Sequence, residues 1–300
     1  MKFKNKNFTI NEEIINFKIE SPVTSKVKKF YELDPFPNYE INDDKVKILK
    51  IADGNIFLKS LKNFIGFNKN IIEFGAGTCQ LSNYLAIGTN NSVYAFDSSF
   101  ESLKIGKKFS KKSNITNIAF VEGDIFDEIF HEEVFDFVIC NGVLHHTKDP
   151  YGGFLNIIKS LKKEGYVLVG LYNKIGRIRT KIRKYIYKLL GKRVIIILDP
   201  VLRKIDKNSH DKINAWIKDQ YQHPVESTHT FDEILKWFES NNIEFINSIP
   251  QCSLSEPEDE NFFHKKSKAT FTERILKQIT MIFNKFGSEG GVFILIGKKK

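Results

Sequence analysis

The chain has 300 residues, of which 41% are hydrophobic and 13% aromatic, with 27 phenylalanines; this supports a core and excludes wholesale disorder. No run of about 18 apolar residues occurs, so no bilayer-spanning helix is expected, and the charged start MKFKNKNFTI lacks the apolar stretch of a signal peptide. The net charge of +10 is local: residues 174–193 hold nine basic and no acidic side chains, which leaves no strong whole-chain signal for nucleic acid.

Residues 1–64 read as an N-terminal arm, a small irregular strand piece followed by helices. From about residue 70 the pattern turns regular. NIIEF (70–74), SVYAFD (92–97), NIAFVEGD (117–124), VFDFVICN (134–141) and GYVLVGLYN (165–173) read as strands. QLSNYLA, SFESLKIGKKF and YGGFLNIIKSL between them read as crossover helices. Such alternation implies a parallel sheet with helices on both faces, and ligands bind beyond the carboxyl ends of its strands. Residues 174–220 are mostly helical, basic at first, with Pro200 ending one piece. TFDEILKWFESNN (230–242) is a helix with Thr230 as N-cap and Glu233 completing a capping box. IEFINSIP reads as a strand, FTERILKQITMIFNKF as a helix and GVFILIG (291–297) as a buried strand. Three scattered cysteines, Cys79, Cys140 and Cys252, form no C-x-x-C; the expectation is a reducing cytosol, with neither disulfide scaffold nor zinc site.

The loop NIIEFGAGTCQ (70–80) ends the first of these strands in Glu73 and then turns through Gly75-Ala76-Gly77. Glycines there let the backbone approach a ligand closely. Gln80 stands where a dinucleotide fingerprint has its third glycine, so the neighbours decide. Asp97 ends the second strand, 22 residues after Gly75, where an acid can hold both hydroxyls of a ribose. Asp124 ends the third, placed to accept from an exocyclic amine of a purine. The fourth ends in Asn141-Gly142-Val143-Leu144-His145-His146. Acids at two successive strand ends, plus one at the first loop, suit a ligand with cations and hydroxyls and repel a pyrophosphate.

EFGAGTCQ, YAFDSS, VEGDI and DFVICNGVLHH resemble the motifs of the class I S-adenosylmethionine-dependent methyltransferases, over roughly residues 68–173. The resemblance implies S-adenosylmethionine as cofactor and S-adenosylhomocysteine as product. It implies Glu73, Gly75, Ala76 and Gly77 around the methionine part, Asp97 with Ser98 on the ribose, Asp124 with Ile125 at the adenine, and Asn141 near the sulfonium. It also implies a Rossmann-like α/β domain over residues 65–300, with a seven-stranded, mostly parallel sheet whose last strand is antiparallel. One departure is Thr78-Cys79, where the family usually carries another glycine.

Methyl transfer needs an acceptor held close and dry, and a base only where the acceptor must lose a proton. His145 and His146 follow the fourth strand; His146 is either such a base or a locally bonded packing residue. DQYQHPVESTHT (219–230) gathers Tyr221, His223, Glu226 and His229, either an acceptor grip with His223 as base or a loop of ordinary caps. Its His-Glu-His spacing does not fit one helical face, and no metal is expected. FYELDPFPNYE (30–40), with Tyr31, Phe36 and Tyr39, is either a lid over the cofactor or a packed arm. Tyr172, at the end of the fifth strand, joins the candidate acceptor contacts. Ile175, Ile178, Ile182, Ile186 and Leu189 recur at helical spacing among cations; that helix either lies on an anionic membrane or caps the sheet with its apolar stripe inward. The expectation is a cytoplasmic methyltransferase, in peripheral membrane contact if 174–193 lies on a bilayer. Its helical insertion at 174–230 would build a site for a small-molecule acceptor attacked at oxygen or nitrogen. A membrane-surface enzyme acting on a lipid or quinone, and a non-catalytic cofactor-binding protein, are the alternatives.

Overall fold

The computed structural model describes residues 2–33, 35, 39, 43–206, 209–256, 260–283 and 291–300. The chain starts with a hairpin, β1 (Thr9–Asn11) and β2 (Ile14–Asn16), then helices α1 (Pro22–Leu33), α2 (Lys45–Asp53) and α3 (Ile56–Ile65). Strands and helices then alternate through β3 (Asn70–Phe74), α4 (Gln80–Ala86), β4 (Ser92–Asp97), α5 (Phe100–Lys112) and β5 (Ile118–Glu122). They continue through β6 (Phe135–Asn141), α6 (Pro150–Lys159) and β7 (Leu161–Tyr172). An insertion follows, with α7 (Ile178–Leu198) and α8 (His210–Ile217), before α9 (Phe231–Ser240), β8 (Ile243–Ile249), α10 (Phe271–Thr280) and β9 (Val292–Lys299).

All nine strands join one sheet in the order β1-β2-β5-β4-β3-β6-β7-β9-β8. Strands β3 to β7 are mutually parallel, and β9 runs antiparallel to both β7 and β8. The expected antiparallel last strand is therefore present, but seven strands were expected and the described residues form nine. The two extra strands are the N-terminal hairpin, whose β2 pairs in parallel with β5 (Ile15 opposite Val121) and covers that edge.

The strands are buried on both faces, as a sheet between helices requires. Ile71, Phe137, Ile139 and Leu168 point to one side and meet Leu61 and Ile65 of α3 and Tyr84 and Leu85 of α4. Ile72, Phe74, Val138 and Val167 point to the other and meet Phe154 of α6 and Phe231 and Phe238 of α9. Many of the phenylalanines pack among themselves: Phe130 has ring neighbours in Phe3, Phe74, Phe96 and Phe135 at 5.2–6.2 Å.

Two local expectations change. Thr230 caps α9 by accepting from the Glu233 N–H at 3.2 Å, but the Glu233 carboxylate contacts His229, so the box is only half formed. The complete capping box lies at α10, between Thr270 and Glu273.

Helix α7 reverses the inward-stripe reading. Ile178, Ile182 and Leu189 of the stripe are exposed and Ile175 and Ile186 half-buried, whereas Arg177 and Thr180 are buried. The inward side of its first turns is polar because an ion pair receives it there.

Candidate active site

Parallel strands end side by side, so β3, β4 and β5 bring Glu73, Asp97 and Asp124 to one edge of the sheet. The chain turns sharply after β3: Gly75 has φ +72°, and a Cβ there would stand 2.1 Å from Cγ2 of Val143. The Gly75 and Ala76 N–H groups donate to the Phe96 carbonyl at 2.8 and 2.9 Å. Gly77 N–H donates to Asp97 Oδ2 and Ser99 N–H to Asp97 Oδ1, both at 2.8 Å. Asp97 is thus the pin that holds the glycine loop against the next strand. Burial raises its carboxyl pKa, while the N–H groups of Ser99, Gly77 and Ser98 pull it back.

Glu73 is buried and accepts from the Ser82 hydroxyl of α4. Burial pushes its carboxyl up to about 8, against the pull of Ser82, with Asp97 adding to the rise. Burial, then Glu73 and then Asp97 raise the Cys79 thiol well above its ordinary value, which puts both acids beside the same loop. Asp124 is buried and accepts from the Phe126 N–H at 3.1 Å, and Ile125 beside it is buried. Asn141 is exposed at the end of β6, its side chain resting where Gly170 of β7 leaves room. A glycine cradle with carboxylates on two sides fits a ligand that carries an ammonium, a sulfonium and a ribose diol.

A second set of polar groups faces this edge from the insertion and from α1. Tyr31 of α1 donates to Asp219 Oδ1 at 2.9 Å, and Lys28, one turn earlier, pairs with Glu122 at the end of β5. Helix α1 therefore spans from the carboxyl end of β5 to the insertion. Asp219 also accepts from Gln220 Nε2 at 2.8 Å, and the same amide reaches the Tyr172 hydroxyl at 3.1 Å. Arg177 is buried; its guanidinium lies 3.4 Å from the Tyr172 ring centroid and makes a two-pronged pair with Glu226 at 2.9 and 3.0 Å. Such a fork holds two planar groups in fixed register. Arg177 and then Lys184 keep the Glu226 carboxyl down at about 2, despite its burial.

Three histidines complete the wall. The His146 and His223 rings lie 3.6 Å apart, and each brings Nδ1 to the Val225 carbonyl, at 2.8 and 2.6 Å. A carbonyl only accepts, so His146 presents N–H at Nδ1 and a lone pair at Nε2. His223 Nδ1 also lies 3.2 Å from the Val225 N–H, but its shorter 2.6 Å contact with the carbonyl favours the same tautomer. Burial pushes His223 down to about 3, helped by His146, and pushes His146 down to about 4. Both are neutral at pH 7. His223 Nε2 is buried with no hydrogen-bond partner. His145 stacks on Tyr172 at 3.7 Å and leaves both ring nitrogens without a partner.

Residues 66–242, more than half of the chain, match the family model described as "Methyltransferase domain". The chain belongs to the methyltransferase-domain family. Its domain is of the class I, S-adenosylmethionine-dependent kind, and S-adenosylmethionine is the cofactor of that class. An uncharacterised protein of Synechococcus is 26% identical over 197 residues, covering 59% of this chain and 47% of that protein. A ubiquinone biosynthesis O-methyltransferase of Rickettsia conorii is 28% identical over 141 residues, covering 47% of this chain and 44% of that one. The chain thus spans about half the length of these curated relatives. Magnesium protoporphyrin IX methyltransferase from Synechocystis, solved with bound S-adenosylhomocysteine, shares the fold with a TM-score of 0.52 at 13% identity, over 93% of this chain and 100% of that one.

The methyltransferase brings together some of the residues singled out from sequence and separates others. Tyr31, Tyr172, His146, His223 and Glu226 converge. Tyr221 does not: it donates to Asp199 and packs with Ile195 and Ile217 in a core private to the insertion. His229 is taken up by Ser227 at 2.8 Å and Glu233 at 2.9 Å. Tyr39 stacks on Phe109 at 4.5 Å and accepts from Asn83, which fixes the arm onto α4 and α5. Phe36 lies outside the described residues. Among the described residues, no group of three or more His, Cys, Asp or Glu side chains is arranged for a metal ion. Arg177, Asp219, Gln220 and Ser82 were missed. Arg177 and Asp219 carried one signal, each being a charge beside an apolar run, but that signal names no partner.

Proposed function

We propose that this methyltransferase moves a methyl group from S-adenosylmethionine to an oxygen or nitrogen of a small-molecule acceptor, with oxygen favoured. The cofactor supplies a methyl group on a sulfonium, an intrinsically good leaving group. In this reading Glu73, Gly75, Ala76 and Gly77 take the amino-acid end, Asp97 and Ser98 the ribose, Asp124 and Ile125 the adenine, with Asn141 near the sulfonium. Residues 1–64 serve as arm and lid, and 174–230 build the acceptor site with Tyr31, Tyr172 and His146.

The observation that carries the acceptor side is the partnerless Nε2 of buried, neutral His223. A lone pair left dry beside the cleft can accept a hydroxyl proton and aim the oxygen at the methyl group. A hydroxyl oxygen that has taken a methyl group is a strong acid, so a weakly basic imidazole suffices to remove its proton. A neutral amine attacks without needing a base, so an imidazole placed to take a proton points to a hydroxyl acceptor. The similarity to a ubiquinone biosynthesis O-methyltransferase supports the same preference.

The test combines calorimetry with transfer of labelled methyl to a panel of phenols and amines. His223→Ala should bind S-adenosylmethionine as the wild type does and lose transfer by about 100-fold. Asp97→Ala should abolish cofactor binding. Lost cofactor binding in His223→Ala, or transfer to amines only, would overturn the assignment.

A further inference from the structure

Helix α7 is built the wrong way round for a helix that only covers a sheet. The buried residues at its start are Thr180 and, just before the helix, Arg177, whose guanidinium is held by Glu226 and Gln220. Its outward stripe is Ile178, Ile182, Tyr185 and Leu189, at spacings of four, three and four. Ile182 is 55% exposed, Tyr185 66% and Leu189 67%. Apolar side chains of that size in one row on a surface call for a partner.

The charges around the row narrow what the partner is. Lys174, Arg179, Lys181, Lys188, Lys192 and Arg193 are exposed, and among the described residues none of the six pairs with a carboxylate. No acidic side chain occurs from 174 to 198. The Arg179 guanidinium donates to the Ile282 carbonyl at 3.0 Å, bringing the end of α10 and the 77% exposed Phe283 up to the first turn of α7. Past the bend at Gly191 (φ +77°), Ile197 and Leu198 are exposed as well. An apolar row flanked by unpaired cations matches the edge of an anionic bilayer, where acyl chains take the former and phosphates the latter. No helix of the described residues is long and apolar enough to cross a membrane, so the helix would lie in the interface.

We propose that the outward face of α7 docks the protein on an anionic lipid surface. The inference is independent of which acceptor is methylated. Arg177 roots the docking helix in the candidate site, through Glu226 and the Tyr172 ring.

The experiment is co-flotation of the full chain with vesicles of phosphatidylcholine alone and of phosphatidylcholine with an equal share of phosphatidylglycerol. The wild type should float only with the second kind. The double variant Lys181→Glu, Lys188→Glu and the double variant Ile182→Ser, Leu189→Ser should each cut the bound fraction at least about fivefold. Thermal unfolding midpoints close to the wild type's show that the variants fold. Failure of the folded wild type to float overturns the proposal. So does an apolar variant that floats like the wild type, since adsorption would then be by charge alone. A dimer in sedimentation that Ile182→Ser, Leu189→Ser disrupts, without flotation, would assign the face to a second copy of the chain instead.

Discussion

Gln80 stands where a dinucleotide loop needs its third small residue, and the close packing that residue would allow is found on a different element. Gly106 of α5 faces the loop so tightly that a Cβ there would meet Cys79 Cβ at 2.6 Å, Cys79 Sγ at 2.7 Å and the Thr78 carbonyl at 2.7 Å. The Thr78-Cys79 departure from the family pattern is thus accommodated by a glycine of α5 packed directly on it, 27 residues past Cys79. Cys79 is itself left-handed at φ +62°, so the loop has no slack to retreat. Gly106→Ala should cost about 1–3 kcal/mol of stability, read from urea unfolding, with weaker cofactor binding by calorimetry. Unchanged unfolding would mean the loop yields at no cost. Gly75 and Asp97 were legible in the sequence because their neighbours along the chain define their job. Gly106 was not, because its reason for being glycine lies in the loop it faces.

Among the elements, the strands and crossover helices of residues 70–172 were readable, since each carries its own periodicity and turn residues. The β1–β2 hairpin was legible only as a small irregular strand piece, not as two paired strands on the edge of the sheet. Its strands are three residues each, too short to display alternation, and its turn places Glu12 and Glu13 at φ +48° and +63°, where Asn-Gly is the usual signature. Lysines of α5 hold those glutamates: Lys104 reaches Glu12, and Lys107 and Lys111 reach Glu13. The direction in which α7 turns its stripe was equally hidden, because an amphipathic pattern is the same whichever side faces inward. Glu226 and Gln220, far along the chain, take the Arg177 guanidinium inward and so decide it. For α1, the Tyr31 hydroxyl is a hydrogen-bonded tie to the insertion, beside the packing of Phe30 on His223 at 5.0 Å. Tyr31→Phe should speed hydrogen exchange in α1 and around 219–226 while β3–β7 stay protected, at a cost of about 1–2 kcal/mol. Unaltered exchange in α1 would show that Lys28–Glu122 and the packing of Phe30 and residue 31 on His223 hold the helix without that hydrogen bond.

At the scale of the whole molecule, buried ionisable groups make stability a function of pH. Glu73 is raised in the folded state to about 8 from an ordinary 4.5. Its contribution is therefore full below about 4.5 and is lost as pH rises through 8, because the unfolded chain sheds that proton first. His146 and His223, lowered to about 4 and 3, act in the opposite sense. Their contribution is full above about 6.5 and is lost as pH falls toward 3. Cofactor-free Glu73→Gln should therefore gain on the wild type between pH 5 and pH 8, by roughly 2–4 kcal/mol in denaturant unfolding. A constant difference across that range would place the Glu73 proton elsewhere. None of this was readable beforehand: a sequence displays the carboxylate, but not how far its neighbours exclude water.

The parallel seam between β2 and β5 has a consequence for traffic at the cleft. Phe17 N–H continues the seam by donating to the Glu122 carbonyl at 2.9 Å, and α1 starts only five residues later, at Pro22. On its upstream side the helix is on a short leash riveted to the sheet. It cannot swing clear as a free flap, and from that side it can only rock about residues 18–21. Moving α1 off the carboxyl end of β5 therefore means parting Lys28 from Glu122, Tyr31 from Asp219 and the Phe30 ring from His223, so its opening is set by side-chain contacts rather than by the drift of a loose tail.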